Sequence, residues 1–356
     1  MTHTTDPGAI STDRLSPPRV ERAWYVLSTS AALGRRPIPV RLWGKPLVLF
    51  RTASGVAGAL ADRCPHRNVP LSGGAVVGET LQCPYHGWRF EPGGRCKAIP
   101  GYTGESDRSA HAADAHAVRE QQGYVWVWGR AGEVPEVEPF RFRFADTPGY
   151  TVVRREVAAA GSIHAVAENA LDVPHTAFLH GGLFRNDGAR QPIRCVVRRT
   201  PDQAECEYIG EARPSGIVGR LLSPSGGEVV HFDRFYLPSI VEVEYRIGAE
   251  NHIVVDAALT PEGDFSTRLF AVVALRSRIP GWLIKPVVTP LALRIFAQDA
   301  KVLAQQVDTM RAYGEQRFVS TEIDLLGPHI LKLLVRAASG ETGPDKELRR
   351  EVTLLV

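Results

Sequence analysis

Residues 63–90 read RCPHRNVPLSGGAVVGETLQCPYHGWRF and contain the same kind of motif twice. The first motif is CPH at 64–66, and the second, after sixteen intervening residues, is CPYH at 83–86. Each motif brings one thiolate and one imidazole into a short loop, and this mixture of ligands suits zinc or an iron–sulfur centre. The candidate ligands are Cys64, His66, Cys83 and His86.

Two kinds of metal centre use two cysteines and two histidines. In a Rieske [2Fe–2S] centre, histidines replace cysteines on one iron, so Cys64 and Cys83 would bind one iron while His66 and His86 bind the other. A structural Cys2His2 zinc site has the same ligands but usually pairs like residues within each loop. Each loop here mixes the two types, and chance burial of four such residues in mirrored order is the weakest alternative. We therefore expect a Rieske cluster.

A second group of histidines and carboxylates lies at residues 168–180, ENALDVPHTAFLH. His175 and His180 are five residues apart, a rotation of about 140° on a regular α-helix. We therefore expect a distorted helix, or a helix that ends just before His180. Two His and one carboxylate form the facial triad of non-haem Fe(II) oxygenases. Two histidines that only make hydrogen bonds in the core are the alternative.

The two groups together resemble the motifs of the Rieske non-haem iron oxygenases, the aromatic-ring-hydroxylating family, over residues 23–315. Respiratory Rieske proteins carry an additional cysteine in each loop, whereas this chain has Val69 and Tyr85 near those places, so the oxygenase branch fits better. Asn68 stands where the oxygenases commonly have glycine, and asparagine tolerates a left-handed backbone.

The resemblance implies a third iron ligand on a C-terminal helix. The sequence FAQD at 296–299 fits that position and indicates Asp299, with Asp308 on the same predicted helix as the second candidate. The alternative for both residues is a solvated charge on the helix surface.

Asp172 precedes His175 by three residues, so the two side chains are neighbours on a helix. A carboxylate that accepts the second N–H of a metal-bound His fixes its tautomer. The resemblance further implies that Asp172 is a catalytic bridge between His175 and the partner subunit's His86, in a ring-shaped homotrimer. Glu168 and Asn169 are expected beside the iron ligands, or equally on the helix surface.

The sequence predicts an α+β fold. Residues 1–20 form a flexible tail, and the short apolar runs of 21–145 predict an N-terminal all-β Rieske [2Fe–2S] domain. Residues 146–356 form the catalytic domain with the mononuclear iron, which the resemblance makes a helix-grip (START-like) antiparallel sheet with helices. We predict a helical segment within 156–180, a long helix after Pro280, and a last helix over about 320–335.

Composition excludes several classes of protein. The 356 residues are 44% hydrophobic and 23% charged, with a net charge of +3, so nucleic acid is not an expected partner. Apolar runs are too short to span a membrane. Five cysteines are an odd number and too few for a disulfide scaffold, and we expect a cytoplasmic protein. Cys96, Cys195 and Cys206 are expected to be core or surface thiols.

As a member of this family, the chain would be the terminal oxygenase of a multicomponent system, a mono- or dioxygenase that hydroxylates an apolar ring-containing small molecule with O2. No GxGxxG follows a strand, so NAD(P)H electrons would come from a separate reductase, alone or with a ferredoxin. One alternative is the same iron chemistry with net O- or N-demethylation or desaturation. Others are a Rieske electron carrier without oxygenase activity and a lipid-binding helix-grip protein.

Residues of the substrate cavity are less marked in the sequence. His231 lies in the alternating run VVHFDRFYL, so it would line the cavity only if its face of the strand is the inner one. The candidate pocket aromatics, each also explained by ordinary core packing, are Phe178, Phe232, Phe235 and Tyr236.

Overall fold

The computed structural model describes residues 17–180, 191–211, 229–248, 251–277, 281–341 and 347–355. The chain divides into two compact units. The N-terminal unit comprises Val20–Arg141 and Thr260–Gly263, and the C-terminal unit comprises Met1–Arg19, Phe142–Leu259 and Asp264–Val356. Of the expected tail at 1–20, residues 1–16 lie outside the described residues.

The N-terminal unit is built from eleven strands in three small sheets, ordered β1-β11-β10, β2-β3-β4-β9 and β5-β6-β7-β8. Single turns of 3-10 helix lie at Leu71–Gly73 and Ser109–His111. The strands are β1 Trp24–Thr29, β2 Ile38–Leu42, β3 Lys45–Arg51, β4 Ala57–Ala61, β5 Ala75–Val77, β6 Thr80–Gln82, β7 Arg89–Phe90, β8 Cys96–Ala98, β9 Ala115–His116, β10 Val118–Gln121 and β11 Tyr124–Trp128.

Strand β11 shows why this unit folds as stacked sheets. Its sequence YVWVW is apolar at every position, and all five residues are buried between β1 and β10. A continuous apolar run of this length is typical of a strand buried on both faces. The predicted all-β N-terminal part is thereby confirmed.

The C-terminal unit is an eight-stranded antiparallel sheet with helices. The strand order is β12-β18-β17-β16-β15-β14-β13-β19. The strands are β12 Thr151–Ala160, β13 Pro192–Arg199, β14 Gln203–Ile209, β15 Val229–Tyr236, β16 Ile240–Ile247, β17 Asn251–Gly263, β18 Ser266–Arg276 and β19 Leu348–Leu355. The helices are α1 Ile163–Ala170, α2 Thr176–Leu179, α3 Gly281–Tyr313 and α4 Gly327–Ser339.

Alternation along the strands separates the two faces of this sheet. In β16, Val241, Val243 and Tyr245 line an internal cavity, while Glu242 and Glu244 point to the other face. There both carboxylates accept hydrogen bonds from Arg234 at 2.6 Å. The cavity therefore takes its apolar wall from every second residue of the strands.

The expected α+β class, the helical segment within 156–180 (α1) and the long helix after Pro280 are confirmed, but the boundaries of the last helix differ. Residues 151–160, just before α1, form β12 because they pair along their whole length with β18. The last helix starts at Gly327, where Pro328 suits the first turn, and ends at Ser339, followed by Gly340 as a left-handed cap with φ 72°.

Strand β19 was not expected from the sequence.

Among the described helices, none combines the length and the apolar composition that a membrane crossing needs.

Candidate functional site

The two Cys/His loops of the N-terminal unit have the same backbone design. Cys64 N–H donates to Val69 O at 2.9 Å, and Cys83 N–H donates to Trp88 O at 2.8 Å. In return, Cys64 O accepts from the backbone of Asn68 at 2.8 Å, and the corresponding bond from Gly87 to Cys83 O is 3.2 Å. Each loop turns through a left-handed residue, Asn68 at φ 60° and Gly87 at φ 71°, so asparagine does replace a glycine-type residue here.

The side chains of the two loops converge at one place. Cys64 and Cys83 are each 2% exposed and belong to the apolar core. The rings of His66 and His86 have centroids 4.6 Å apart, and His66 stacks on Trp88 at 4.8 Å. The Nδ1 atom of His66 is buried and, among the described residues, has no hydrogen-bond partner. An imidazole nitrogen left in this state fits a metal ligand.

These four side chains fit a two-metal cluster better than one zinc ion. A tetrahedral zinc site places its ligand atoms ~3.3–3.8 Å apart. Among the described residues, the group of three closely spaced ligand atoms that could hold a single metal ion lies elsewhere, in the C-terminal unit. Burial and the neighbouring Cys83 thiol raise the pKa of Cys64 to about 11. A bound metal would therefore supply the charge that keeps the thiolate form.

The second candidate centre joins His175, His180 and Asp299. The two Nε2 atoms are 3.3 Å apart, and Asp299 Oδ1 lies 3.5 Å from the Nε2 of His175 and 3.1 Å from that of His180. Three ligands on one face of an ion, at ~2.1 Å and 90–110° from one another, are ~3.0–3.4 Å apart. This geometry is that of a facial triad, and it leaves one side open.

Helix α2 brings the two histidines together. It is one turn long, Thr176–Leu179, with His175 at its N-cap and His180 at its C-cap. His180 therefore lies just beyond the end of the helix, which is one of the two arrangements expected from the five-residue spacing. Asp299 lies within the long helix α3.

Electrostatics also match a cation at this place. Asp299 Oδ1 is buried and has no hydrogen bond of good geometry to any described residue. Burial lowers the pKa of His175, but the carboxylates of Asp172 and Asp299 outweigh it and raise the pKa to about 9. A cation at the centre of the three ligand atoms would replace the proton that this arrangement attracts.

Two side chains contact the histidines on the side away from the triad. His180 Nδ1 donates to Gln298 Oε1 at 2.9 Å. Asp172 Oδ2 accepts from the backbone N–H of His175 at 3.3 Å and lies 3.3 Å from its Nδ1, which makes no hydrogen bond of good geometry to a described residue. The sequence indicated Asp172 as a neighbour of His175, but it gave Gln298 no role beyond preceding Asp299. Its position on the same helix, one residue before a ligand, is the signal that could have indicated it.

Other candidates from the sequence lie around or away from this centre. Asp308 is 77% exposed and pairs with Arg311 at 3.8 Å, so it is a solvated helix charge. Glu168 and Asn169 line a smaller cavity beside Asp172. Burial and the carboxylates of Asp324 and Asp172 raise the pKa of Glu168 to about 7.

His175, His180 and Asp299 line a cavity of about 320 Å³ that lies between the inner face of the sheet and the helices. Its wall is mainly aliphatic, with Val255, Leu269 and Ile295 as examples, and Phe296 adds an aromatic ring. Pockets of this size and character hold small organic molecules.

The aromatic residues named from the sequence do not line this cavity in the described structure. Phe178 is 68% exposed and Phe235 is in the core, while Phe232 and Tyr236 alternate to the other face of β15. His231 does line the cavity, together with Glu211, Asp233 and Tyr245. The remaining cysteines, Cys96, Cys195 and Cys206, are buried, as one of the two expectations had it.

Comparison with known families gives two matches. Residues 23–106 match the Rieske [2Fe-2S] domain, and residues 160–339 match the vanillate O-demethylase oxygenase C-terminal domain.

Curated relatives span almost the whole chain. The oxygenase component of chloroacetanilide N-alkylformylase from Rhizorhabdus wittichii is 26% identical over 90% of this chain and 94% of its own. The vanillate O-demethylase oxygenase subunit of a Pseudomonas strain is also 26% identical, over 90% of this chain and 95% of its own. A crystal structure of dicamba monooxygenase bound to dicamba has the same fold, with a TM-score of 0.77 and 23% identity, covering 91% of this chain and 99% of that one.

The cofactors of this architecture are a Rieske [2Fe–2S] cluster and a mononuclear non-haem iron, for which the chain has a Rieske domain and a His/His/Asp group. The family makes the chain an oxidoreductase, the terminal oxygenase component of a Rieske system. The chain belongs to the Rieske oxygenases that carry a vanillate O-demethylase type of C-terminal domain.

Proposed function

We propose that this protein uses O2 and electrons from a reductase to hydroxylate an apolar, ring-containing small molecule. The observation that carries the proposal is the convergence of His175, His180 and Asp299, with ligand atoms 3.1–3.5 Å apart, on the wall of an apolar cavity. An electron carrier without oxygenase activity would need neither the triad nor the cavity.

We assign the ligands residue by residue. The cluster would be held by Cys64, Cys83, His66 and His86 within domain 21–145, and the iron by His175, His180 and Asp299 within domain 146–356. When bound, the cluster supplies electrons and the ferrous ion supplies a site for O2 activation.

The protein's own contribution is to orient and to exclude water. Gln298 accepts from the outer nitrogen of His180, and Asp172 accepts from the backbone N–H of His175 and lies 3.3 Å from its outer nitrogen, so both contacts help to direct the two Nε2 atoms toward Asp299. The aliphatic wall holds the substrate by burial of its apolar surface and keeps bulk water from the reacting atoms.

We also propose the partners. Electrons would come from a separate NAD(P)H-dependent reductase, alone or through a ferredoxin, and the protein would act in the cytoplasm as a homotrimer. In that trimer Asp172 would contact the partner subunit's His86. The side chain of Asp172 is 33% exposed, and His86 is exposed, so both are accessible to a neighbouring chain.

A second outcome of the same chemistry is O- or N-dealkylation, which is favoured by the names of the relatives. Hydroxylation of a methyl group on oxygen or nitrogen gives an unstable product that releases formaldehyde. One O2, two electrons and two protons then yield the demethylated product, formaldehyde and water.

The test is anaerobic loading with iron and sulfide, followed by turnover of ring compounds with a surrogate reductase and ¹⁸O2. We expect about three irons per chain and labelled oxygen in a product or in released formaldehyde. Asp299→Ala should keep the visible spectrum of the cluster, lose the third iron and lose turnover, whereas Asp308→Asn should change neither. An Asp299→Ala variant that retains iron and turnover would contradict the assignment.

A further inference from the structure

A second polar group lines the cavity and has no part in holding the iron. Glu211, His231 and Asp233 are 8%, 1% and 1% exposed, and all three belong to the cavity wall. His231 Nδ1 is 2.7 Å from Glu211 Oε2, and its Nε2 is 3.0 Å from Asp233 Oδ1. We call these three residues the His231 group. Burial of charged side chains is energetically costly, so their presence in a mainly aliphatic wall needs an explanation.

The sheet holds the ring of His231 in one orientation. His231 lies opposite Tyr208 on β14 and Tyr245 on β16. Both phenol rings stack on the imidazole, with centroids 4.3 Å and 3.9 Å away. The ring therefore cannot turn to offer a nitrogen to another partner without losing both stacking contacts and both carboxylates.

The protonation of this group follows from its contacts. Burial lowers the pKa of His231, but the two carboxylates outweigh it and raise the pKa to about 9. At neutral pH the ring is an imidazolium, and both of its N–H donors are used by Glu211 and Asp233. A substrate carboxylate would therefore find no free donor on His231.

Asp233 keeps acceptor capacity for a ligand. An ionised carboxylate has about four lone-pair sites, and the hydrogen bonds from His231 and from the Tyr208 hydroxyl leave part of this capacity unused. The described residues that line the cavity include no lysine and no arginine.

We propose that the His231 group selects substrates that carry a protonated amine, and that Asp233 is its main acceptor. The inference rests on the proposed function only in taking this cavity as the substrate site. Hydrogen bonds from an ammonium group to a carboxylate are about twice as strong as neutral ones, so a cationic nitrogen gains most at Asp233, whereas an anionic substrate offers this carboxylate no donor.

The experiment compares three ligands of the same shape, para-methoxybenzylamine, para-methoxybenzoate and para-methylanisole. Their affinities for the anaerobic, iron-loaded protein are measured by calorimetry, which needs no turnover. We expect the amine to bind at least about tenfold more tightly than the benzoate. A buried hydrogen bond between two charged groups readily accounts for a tenfold difference in affinity. A benzoate that binds as tightly as the amine, or more tightly, overturns the proposal.

Substitutions then locate the selectivity. Asp233→Asn should weaken binding of the amine about tenfold and leave para-methylanisole within about twofold. Glu207→Gln is the matched control, because its carboxylate lies on the next strand, is paired with Arg198 at 2.6 Å, and alternates to the opposite face. If Asp233→Asn does not fold, Glu211→Gln makes the same comparison. Lower stability with an unchanged ranking of the three ligands would mean a structural role and refute the inference.

Failure of the two proposals can be told apart. Formaldehyde release from any of the methoxy probes without a preference for the amine supports the proposed function and refutes the selectivity. A clear preference for the amine in binding, with no product from any ring compound, does the opposite.

Discussion

Gln298 offers the sharpest test of how the iron site is held. Its Oε1 is 2.9 Å from Nδ1 of His180, a side chain that is 2% exposed. The bond keeps the proton on Nδ1 and leaves the Nε2 lone pair for the metal. Gln298→Leu removes that acceptor.

The magnitude follows from the burial of the bond. A buried donor that loses its acceptor costs about 1–3 kcal/mol, and a lost partner of a metal-bound histidine typically weakens metal affinity by about 10–100-fold. We therefore expect the Kd for Fe(II) to rise by about 10–100-fold, with the absorbance of the cluster unchanged. The measurement is anaerobic competition with a coloured chelator.

Two variants make this result interpretable. Gln298→Glu restores an acceptor and should bind iron within a few fold of the wild type, and Gln305→Leu makes the same substitution at an exposed position of the same helix. The reasoning is refuted if Gln298→Leu binds iron within twofold of the wild type, or if Gln305→Leu weakens binding equally.

Two further predictions concern stability. A Cβ at Gly74 would lie 2.0 Å from the carbonyl oxygen of Gln82, so Gly74→Ala should cost about 1–3 kcal/mol and lower the melting temperature, whereas Gly93→Ala, with open space around it, should not; equal melting temperatures would contradict this. His231 holds its proton up to about pH 9 in the folded chain, against 6.5 as its ordinary value. Its contribution to the free energy of unfolding is therefore present below pH 6.5 and lost as pH rises to 9. Denaturant titrations at pH 6.5 and pH 9 should show a smaller fall in the free energy of unfolding for His231→Gln than for the wild type. Equal falls in the two proteins would contradict this prediction.

Much of the candidate site could be predicted from the spacing of residues that are close together in the sequence. The mirrored Cys/His loops converge, and Asn68 takes the positive φ expected at its position. His180 sits at the end of a one-turn helix because 3.6 residues per turn cannot bring residues five apart to one side. These inferences needed only backbone geometry within a few residues.

Features set by distant residues were harder to predict. The alanines of 158–160 suit a helix as well as a strand, and their pairing with β18, about 110 residues away, decides between them. Asp233 lies on the same strand as His231, but Glu211 lies beyond the end of the neighbouring strand β14, so alternation indicated a face of the strand without indicating Glu211. Gln298 was visible in the sequence, but its role depends on how α3 packs against His180.

The sheet that carries the two Cys/His loops is made of strands only two or three residues long. Ladders this short contribute few hydrogen bonds, and each loop carries only two of the four proposed cluster ligands. A bound iron–sulfur cluster would therefore connect the two loops. We therefore expect proteases to cleave chains without a cluster first in these two loops.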